Sequence, residues 1–144
     1  MAITYFLCIY LKKARSIKIG KLGRFYFKKG NYIYVGSARK KLVKRIERHL
    51  TKKKKKFWHI DYLLQYANVN AVWMCNQPEE RMANILSKKM AMPVLGFGST
   101  DKKSKSHLFY GKIDKPFLLK NFHLRNLLSY RRHQKLLLQF IDSI

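Results

Sequence analysis

The stretch of the chain that decides its fold is Asn31-Tyr32-Ile33-Tyr34-Val35-Gly36-Ser37-Ala38. Its aromatic and β-branched residues are typical of a strand, and the small residues from Gly36 onward are typical of a strand end. A helix is predicted to begin near Ser37–Lys40, with Ser37 as its candidate N-cap. The stretch therefore predicts a junction between a strand and a helix.

The predicted helix after this junction carries an apolar stripe and a basic stripe on different faces. Arg45 and His49 lie one helical turn apart, and Tyr32 and Tyr34 share one face of the strand. If these two faces meet, phenol, guanidinium and imidazole groups come together. The lysine run 52–56 is predicted to end the helix in a solvated loop. The apolar stripe consists of Leu42, Val43, Ile46 and Leu50, and the basic stripe of Lys41, Arg45, Arg48 and Lys52.

Further strands and helices are predicted on both sides of the junction. Strands are predicted over residues 3–11, 15–22, 69–75 and 107–110, with an edge strand or loop over 24–28. Helices are predicted over residues 57–64, 79–89 and 115–144. Early strands packed by later helices are typical of an α+β (α/β) sandwich. We predict one domain over residues 1–110 and a basic, leucine-rich C-terminal helical extension over residues 111–144.

Composition limits the class of protein and its partners. The 144 residues include 32 Lys+Arg against 7 Asp+Glu, which gives a formal net charge of +25. A field of this sign attracts polyanions, so nucleic acid is the first expected partner and an anionic membrane surface the second. Hydrophobic residues make up 47% of the chain, which is enough for a core and excludes a disordered protein.

Cysteine usage and the N-terminal segment bear on the compartment. Cys8 and Cys75 are isolated, which excludes a zinc ribbon and a disulfide framework. The apolar run Ala2–Leu11 is shorter than the roughly 20 residues that a membrane-spanning helix needs. Basic residues follow that run instead of preceding it, unlike in a signal peptide. We therefore expect a cytoplasmic protein without a transmembrane segment.

A set of sequence blocks resembles the GIY-YIG nuclease superfamily. Tyr34-Val35-Gly36 matches the second half of its signature, and Tyr5 stands where the first tyrosine is expected. The closer resemblance is to an archaeal-type subfamily long described as a domain of unknown function. Its blocks occur in order within about residues 3–110, namely Asn31–Ala38, Leu42–Arg45, Arg48-His49, Trp58–Leu63, Gly96–Ser99, Asp101 and Ser106–Phe109.

This resemblance implies a fold, a reaction and a set of site residues. The implied fold is a small, central, antiparallel three-stranded sheet flanked by helices. The implied reaction is phosphodiester hydrolysis with one divalent metal ion, Mg²⁺ or Mn²⁺. The implied metal ligand is Glu79, with Glu80 as the alternative. The implied catalytic residues are Tyr5, Tyr34, Arg45, His49 and Glu79.

The chemistry of these side chains suits that reaction. Mg²⁺ takes oxygen ligands and keeps several waters, so one carboxylate together with phosphate oxygens suffices. Arg45 would bind a phosphate bidentately and stabilise its transition state. Tyr5 or Tyr34 would orient or deprotonate the attacking water, and the basic field is expected to lower the pKa of a phenol from about 10. His49 would act as a general acid–base or contact the phosphate.

Other polar residues are predicted to support or extend the site, although the tyrosines could equally be strand aromatics that fill a core. Relative to the resembled family, Ile3 replaces a glycine, and Lys102 and Ser104 replace two cysteines. Supporting roles are predicted for His59, Asp61, Asp101 and His107. Contacts with a nucleic-acid backbone are predicted for Lys41, Arg48, Lys52, Lys53, Lys54, Lys55 and Lys56.

The sequence thus predicts a metal-dependent endonuclease that acts on DNA in preference to RNA, with a structure-specific role in repair or recombination as one option. Two alternatives stay open. One is a nucleic-acid binding module of the same fold without catalysis. The other is a basic membrane-surface protein that uses residues 115–144. The form of the substrate and the oligomeric state are left open.

Overall fold

The computed structural model describes residues 3–99, 104–114, 116–118 and 125–126. Within them the chain forms a succession of strands and helices, with a short 3₁₀ turn at Gly20–Leu22. The elements are β1 (Ile3–Leu11), β2 (Arg15–Ile19), β3 (Gly23–Phe27), β4 (Gly30–Ala38), α1 (Leu42–Leu50), α2 (His59–Leu64), β5 (Asn68–Cys75), α3 (Glu79–Ser87), β6 (Leu108–Tyr110) and β7 (Arg125–Asn126).

The central sheet is antiparallel throughout, with strand order β6-β4-β1-β5-β7. Strand β1 lies in the middle, which explains why its sequence is apolar at nearly every position. Its register with β4 places Tyr5 opposite Gly36 and Leu7 opposite Tyr34. The three long strands β4, β1 and β5 match the implied three-stranded sheet, but the short strands β6 and β7 extend it to five within the described residues.

Helices cover both faces of this sheet. On one face, Leu42 and Ile46 of α1 and Leu63 of α2 pack in the core that also contains Tyr5 and Leu7. On the other face, buried residues of α3 pack against the alternate residues of β1 and β4, and this second core contains Met82, Ala83, Leu86, Phe6 and Ile33. The predicted α+β class, with helices packed on an antiparallel sheet, is confirmed.

Strands β2 and β3 form a separate two-stranded sheet. Its inward side chains, Ile17, Ile19 and Phe27, are buried in the first core, and α2 packs against β2. Residues 24–28, which the sequence left between an edge strand and a loop, therefore contribute an edge strand. The strand predicted over residues 15–22 ends at Ile19, because the chain turns at Gly20.

The start of α1 and part of the tail also differ from what the sequence predicts. Helix α1 begins at Leu42 and not near residues 37–40, because Ser37 continues β4 and pairs with Thr4. Lys41, with a left-handed φ of 58°, therefore holds the N-cap position in place of Ser37. The tail was predicted to be helical from residue 115 to 144, but Arg125–Asn126 pairs with β5. The open edge of β5 offers backbone partners that outweigh the helical pattern there.

Candidate active site

A cleft of about 500 Å³ opens where β1 and β4 approach α1 and the start of α3. Four residues of the predicted catalytic set share this cleft, although they come from four different elements. The lining residues are Tyr5, Tyr34, Gly36, Ser37, Arg45, Phe57, Trp58, His59, Glu79 and Gly98. His49 lies behind the cleft wall, where its side chain is buried.

Tyr5 and His49 form a buried pair. The Tyr5 hydroxyl lies 2.7 Å from His49 Nε2. Burial, with Tyr34 nearby, raises the pKa of Tyr5 well above its ordinary value, and the guanidinium of Arg45 only partly opposes this. Burial also lowers the pKa of His49 to about 3, with Lys54 adding to the effect, so the imidazole is uncharged at neutral pH. His49 therefore holds Tyr5 in place instead of contacting a substrate in the cleft.

The phenol of Tyr34 is also protonated at neutral pH. Burial raises its pKa, Glu79 raises it further, and Arg45 opposes the rise. The basic Arg45 acts in the expected direction and lowers the pKa of both phenols, but burial outweighs it, so the pKa of each phenol is raised. Desolvation is the largest influence because the two rings lie inside the domain, whereas most of the positive charge lies on its surface.

Gly36 allows the ring of Tyr5 to cross the strand beside it. A Cβ atom at position 36 would lie 2.5 Å from both Cζ and the hydroxyl oxygen of Tyr5. Side chains do not approach this closely, so any other residue at position 36 displaces the ring. Gly36, within the stretch Asn31–Ala38, is thus required by Tyr5, which lies opposite it in β1.

We expect Gly36→Ala to destabilise the fold by about 2 kcal/mol, because an added methyl group overpacks a filled core. In a Tyr5→Leu background, which lacks the clashing ring, the same substitution should cost under about 1 kcal/mol. Urea unfolding of the four proteins measures this coupling. Equal costs in both backgrounds would show that the Tyr5 ring does not make this contact.

Arg45 is fixed at the cleft by two contacts. Its Nη1 donates a hydrogen bond to the carbonyl oxygen of Ser37, at the end of β4. Its Cζ atom lies 4.9 Å from the centroid of the Trp58 ring, a cation–π arrangement. The guanidinium is thereby held between a strand end and an aromatic ring, and it also hydrogen-bonds the side chain of Tyr5 within the cleft.

Glu79 is the acidic side chain that lines the cleft among the described residues. Ser37 Oγ donates a hydrogen bond of 2.8 Å to Glu79 Oε1, and His107 Nδ1 lies 3.3 Å from Glu79 Oε2. Glu80 does not line the cleft; its Oε2 accepts hydrogen bonds from the backbone N–H and the hydroxyl of Ser104, and its Oε1 lies 3.5 Å from Nε2 of His107. Of the two candidate metal ligands, Glu79 is therefore the one at the site.

His107 supports Glu79 from the buried side. Its Nδ1 also lies 3.2 Å from the carbonyl oxygen of Val35, and only a protonated nitrogen can make that contact. The backbone is tied as well, since the N–H of Val35 donates to the carbonyl oxygen of His107. The predicted supporting role of His107 agrees with this geometry, in which the ring joins β4 to the start of α3.

A family model described as "Domain of unknown function DUF123" matches residues 4–126. The chain belongs to the DUF123 family. No curated protein and no solved structure matches it. The DUF123 match spans the whole described cleft and continues past residue 110, where the sequence was divided into two parts.

His59 lines the cleft of this DUF123 protein as an uncharged ring. Its Nδ1 accepts a hydrogen bond of 2.9 Å from the backbone N–H of Gly98, so the ring proton lies on Nε2. Burial lowers the pKa of His59, which favours this neutral form. The contact fixes the loop at Gly98 beside Tyr34.

Asp61 is a structural residue of the DUF123 fold. It is buried, and its carboxylate accepts hydrogen bonds from Arg48 Nη1 at 2.6 Å and from the backbone N–H groups of Phe57 and Trp58 at 2.8 Å each. Lys54 Nζ lies 3.9 Å from the same carboxylate. Arg48, predicted to contact nucleic acid, is thus committed to Asp61 and to the Trp58 ring, 4.6 Å away.

Two members of the lysine run are also committed to the fold. Lys52 Nζ donates to the carbonyl oxygens of Leu64 and Ala67, and Lys54 Nζ donates to those of Arg48 and His49. Burial lowers the pKa of both ammonium groups. The prediction of a wholly solvated run is therefore wrong at Lys54, which is only partly exposed, whereas Lys52 is exposed although its ammonium group is hydrogen-bonded. Lys41, Lys53, Lys55 and Lys56 are exposed, as a backbone contact requires.

Ser37 and Trp58 are site residues that the sequence did not identify. The sequence predicts Ser37 as the N-cap of a helix, and it gives Trp58 no role beyond its place in the block Trp58–Leu63. The signal for Ser37 lies in the β1–β4 register, which a single sequence does not give. Asp101 and Lys102, by contrast, lie outside the described residues.

The residues of the DUF123 cleft could hold a single divalent ion through one carboxylate. The described residues contain no group of three or more His, Cys, Asp or Glu that could enclose a metal ion. One carboxylate, Glu79, faces the cleft beside the guanidinium of Arg45. An ion held by one carboxylate, with waters and phosphate oxygens as the other ligands, suits Mg²⁺.

One further finding concerns membranes. Among the described residues, none of the helices combines the length and the apolar character that crossing a bilayer requires.

Proposed function

We propose that this protein is a metal-dependent endonuclease of the GIY-YIG type, which hydrolyses phosphodiester bonds in nucleic acid, with DNA favoured over RNA. One observation supports it above the others. Tyr5, Tyr34, Arg45 and Glu79, which are far apart in the sequence, line one cleft in a chain of net charge +25. Phosphoryl transfer with a divalent ion uses a cation that binds the phosphate, hydrogen-bond donors and a carboxylate that holds the metal.

In this proposal Arg45 binds the scissile phosphate. Two parallel N–H···O bonds fix the phosphate oxygens, and the positive charge stabilises the additional negative charge of the transition state. Trp58 and the carbonyl oxygen of Ser37 hold the guanidinium in advance, so little conformational entropy is lost when substrate binds.

The two tyrosines act as hydrogen-bond donors and not as bases. Their raised pKa values keep both phenols protonated near neutral pH. Tyr34 would orient the attacking water or a phosphate oxygen, and Tyr5 would do so while anchored on His49. His49 is then a positioning residue, since it does not line the cleft but contacts the lining residues Tyr5, Tyr34 and Trp58.

Glu79 would hold Mg²⁺ or Mn²⁺ together with the substrate phosphate. When bound, such an ion polarises the phosphate and lowers the pKa of a coordinated water. Ser37 and His107 orient the carboxylate, so it keeps one direction in the cleft.

The buried cysteines Cys8 and Cys75, which form no disulfide, agree with the cytoplasmic location that we propose alongside this activity.

A cleavage assay with Arg45→Ala tests this function. We expect the wild-type protein to cut labelled duplex, single-stranded, flap or branched DNA, or a structured RNA, with Mg²⁺ or Mn²⁺ and not with EDTA. Arg45→Ala should lower the rate about 100-fold, the scale of losing one transition-state donor. Lys44→Ala removes a neighbouring exposed charge that does not line the cleft, and its rate should stay within about threefold of wild type.

The alternative of a binding module has its own support in the raised pKa of both tyrosines, which makes neither of them a base. Binding to every substrate without cutting under any metal would favour that alternative over the nuclease. The membrane-surface alternative depends on residues 115–144, of which the structure describes only five, and it stays a prediction. Liposome flotation with and without that segment tests it.

A further inference from the structure

A second groove, of about 780 Å³, lies between the open edge of β2 and helix α2. Within the described residues, strand β2 pairs with β3 along its other edge only, so the edge that borders the groove has no strand partner. No acidic residue lines the groove within the described part of the chain. Its cationic lining residues are Arg15, Lys18, Lys21, Arg24 and Lys56.

Most of this charge comes from one hairpin. Lys18 and Arg24 lie directly opposite each other in the β2–β3 register, and both are exposed. Lys21 lies in the turn that joins the two strands, and it is exposed as well. Three cations thus project from one end of a small sheet, at a spacing that the sheet itself fixes.

Aromatic rings face the same groove. Tyr66 is 41% exposed, and the guanidinium carbon of Arg15 lies 3.6 Å from the centroid of its ring. Lys56 Nζ lies 5.8 Å from the centroid of the Tyr62 ring. Cations beside exposed rings are the combination that proteins use to bind unpaired bases and their phosphates together.

The groove adjoins the candidate active site. Lys56 lines the groove, and the next residue, Phe57, lines the catalytic cleft. Phe57 is 79% exposed, so one side of its ring is open to a ligand. Its ring meets Trp58 edge-on at 5.9 Å, so it is held at the boundary between the two cavities.

We propose that the groove binds a single-stranded arm of the nucleic acid whose scissile phosphate occupies the cleft. Bases would stack on Phe57 and Tyr66, and the hairpin cations would contact the phosphates. A duplex keeps its bases stacked inside and cannot use these rings, and a flat membrane surface cannot reach the floor of a groove. The inference rests on the proposed function for its choice of substrate.

Binding measured without cleavage tests the groove. Fluorescence anisotropy with a labelled 20-nucleotide oligo(dT), a matched oligo(U) and a duplex, in EDTA and over a salt series, gives affinities and salt slopes. Lys18→Ala/Lys21→Ala/Arg24→Ala should lower the magnitude of the single-strand slope by about 2, since each lost phosphate contact removes about 0.7. Affinity at about 0.1 M salt should fall about 100-fold, because a slope lower by about 2 removes about two decades of affinity relative to 1 M salt.

A matched variant controls for the loss of charge alone. Lys88→Ala/Lys105→Ala/Lys112→Ala removes three exposed charges that line neither the groove nor the cleft, and its slope should stay at the wild-type value. Phe57→Ala should weaken single-strand binding about tenfold at an unchanged slope and leave duplex binding unaltered. Circular dichroism checks that each variant is folded.

The outcomes separate this inference from the proposed function. A wild-type protein that binds single strands through the hairpin but cuts nothing supports the groove and refutes the nuclease. A protein that cuts, and whose two triple variants bind alike, refutes the groove only. Loss of anionic-vesicle binding in the hairpin variant, with strand binding intact, would also overturn the inference. The tighter of the two oligonucleotides identifies the sugar of the arm.

Discussion

Glu79→Gln should reduce metal-dependent cleavage about 1,000-fold, the largest effect that we expect from a single substitution. The amide keeps the size of the side chain and can still accept the hydrogen bond from Ser37 Oγ. It loses the negative charge that a divalent ion requires. The measurement is the single-turnover rate on the best substrate of the cleavage panel, with Mg²⁺ in excess.

Glu80→Gln is the matched control, since it makes the same chemical change one residue away. Its carboxylate binds Ser104 and lies 3.5 Å from Nε2 of His107 but does not line the cleft, so it acts on Glu79 only through that ring and the rate should stay within about tenfold of wild type. Equal losses in the two variants would mean that the charge at the start of α3 matters and not a specific ligand. A larger loss in Glu80→Gln would transfer the ligand role to Glu80.

Asp61→Asn should destabilise the fold by about 3 kcal/mol, because it breaks a buried ion pair and leaves Arg48 without its partner. The carboxylate also accepts two backbone N–H groups just before α2, and an amide cannot satisfy all of these donors. Urea unfolding at neutral pH measures the loss. Asp114→Asn makes the same change at an exposed position and should cost under about 0.5 kcal/mol.

The same residue predicts a dependence of stability on pH. Burial raises the pKa of Asp61, but Arg48 and the backbone N–H groups of Phe57 and Trp58 lower it more, so its pKa lies below the ordinary value. A lowered carboxyl pKa contributes stability above the unfolded value of about 4, and that contribution is lost as the pH falls below it. The wild type should therefore lose stability below about pH 4 more steeply than Asp61→Asn. Parallel curves would show that Asp61 is not the group that titrates.

Much of the sheet could be predicted from residue pattern alone. The apolar run 3–11 coincides with β1, and the helix predicted from Glu79 begins there. Continuous apolar sequence is a strong signal for a strand that is buried on both faces. The helix boundary after β4 was wrong because Ser37 is equally suitable as an N-cap and as a strand residue, and only the register with Thr4 decides between them.

The sequence could predict which residues form the candidate site, but not how they are arranged or how deeply they are buried. The resemblance selected Tyr5, Tyr34, Arg45 and Glu79, and the structure brings those four side chains to one cleft. The protonation of the phenols could not be predicted, because it depends on burial and not on net charge. The β2–β3 groove could not be predicted either, since its cations are spread among many similar basic residues.

The five lysines at positions 52–56 are the same residue type, but they differ in how well the structure tolerates their substitution. The ammonium groups of Lys52 and Lys54 donate to carbonyl oxygens near the ends of α1 and α2, and shorter or uncharged side chains would lose those hydrogen bonds. Lys53 lies exposed between them, and Lys55 contributes its backbone carbonyl to Arg48, which any residue type supplies. Substitution of Lys52 or Lys54 should therefore be less well tolerated than substitution of Lys53 or Lys55. A segment that resembles low-complexity sequence thus has different structural requirements at neighbouring positions.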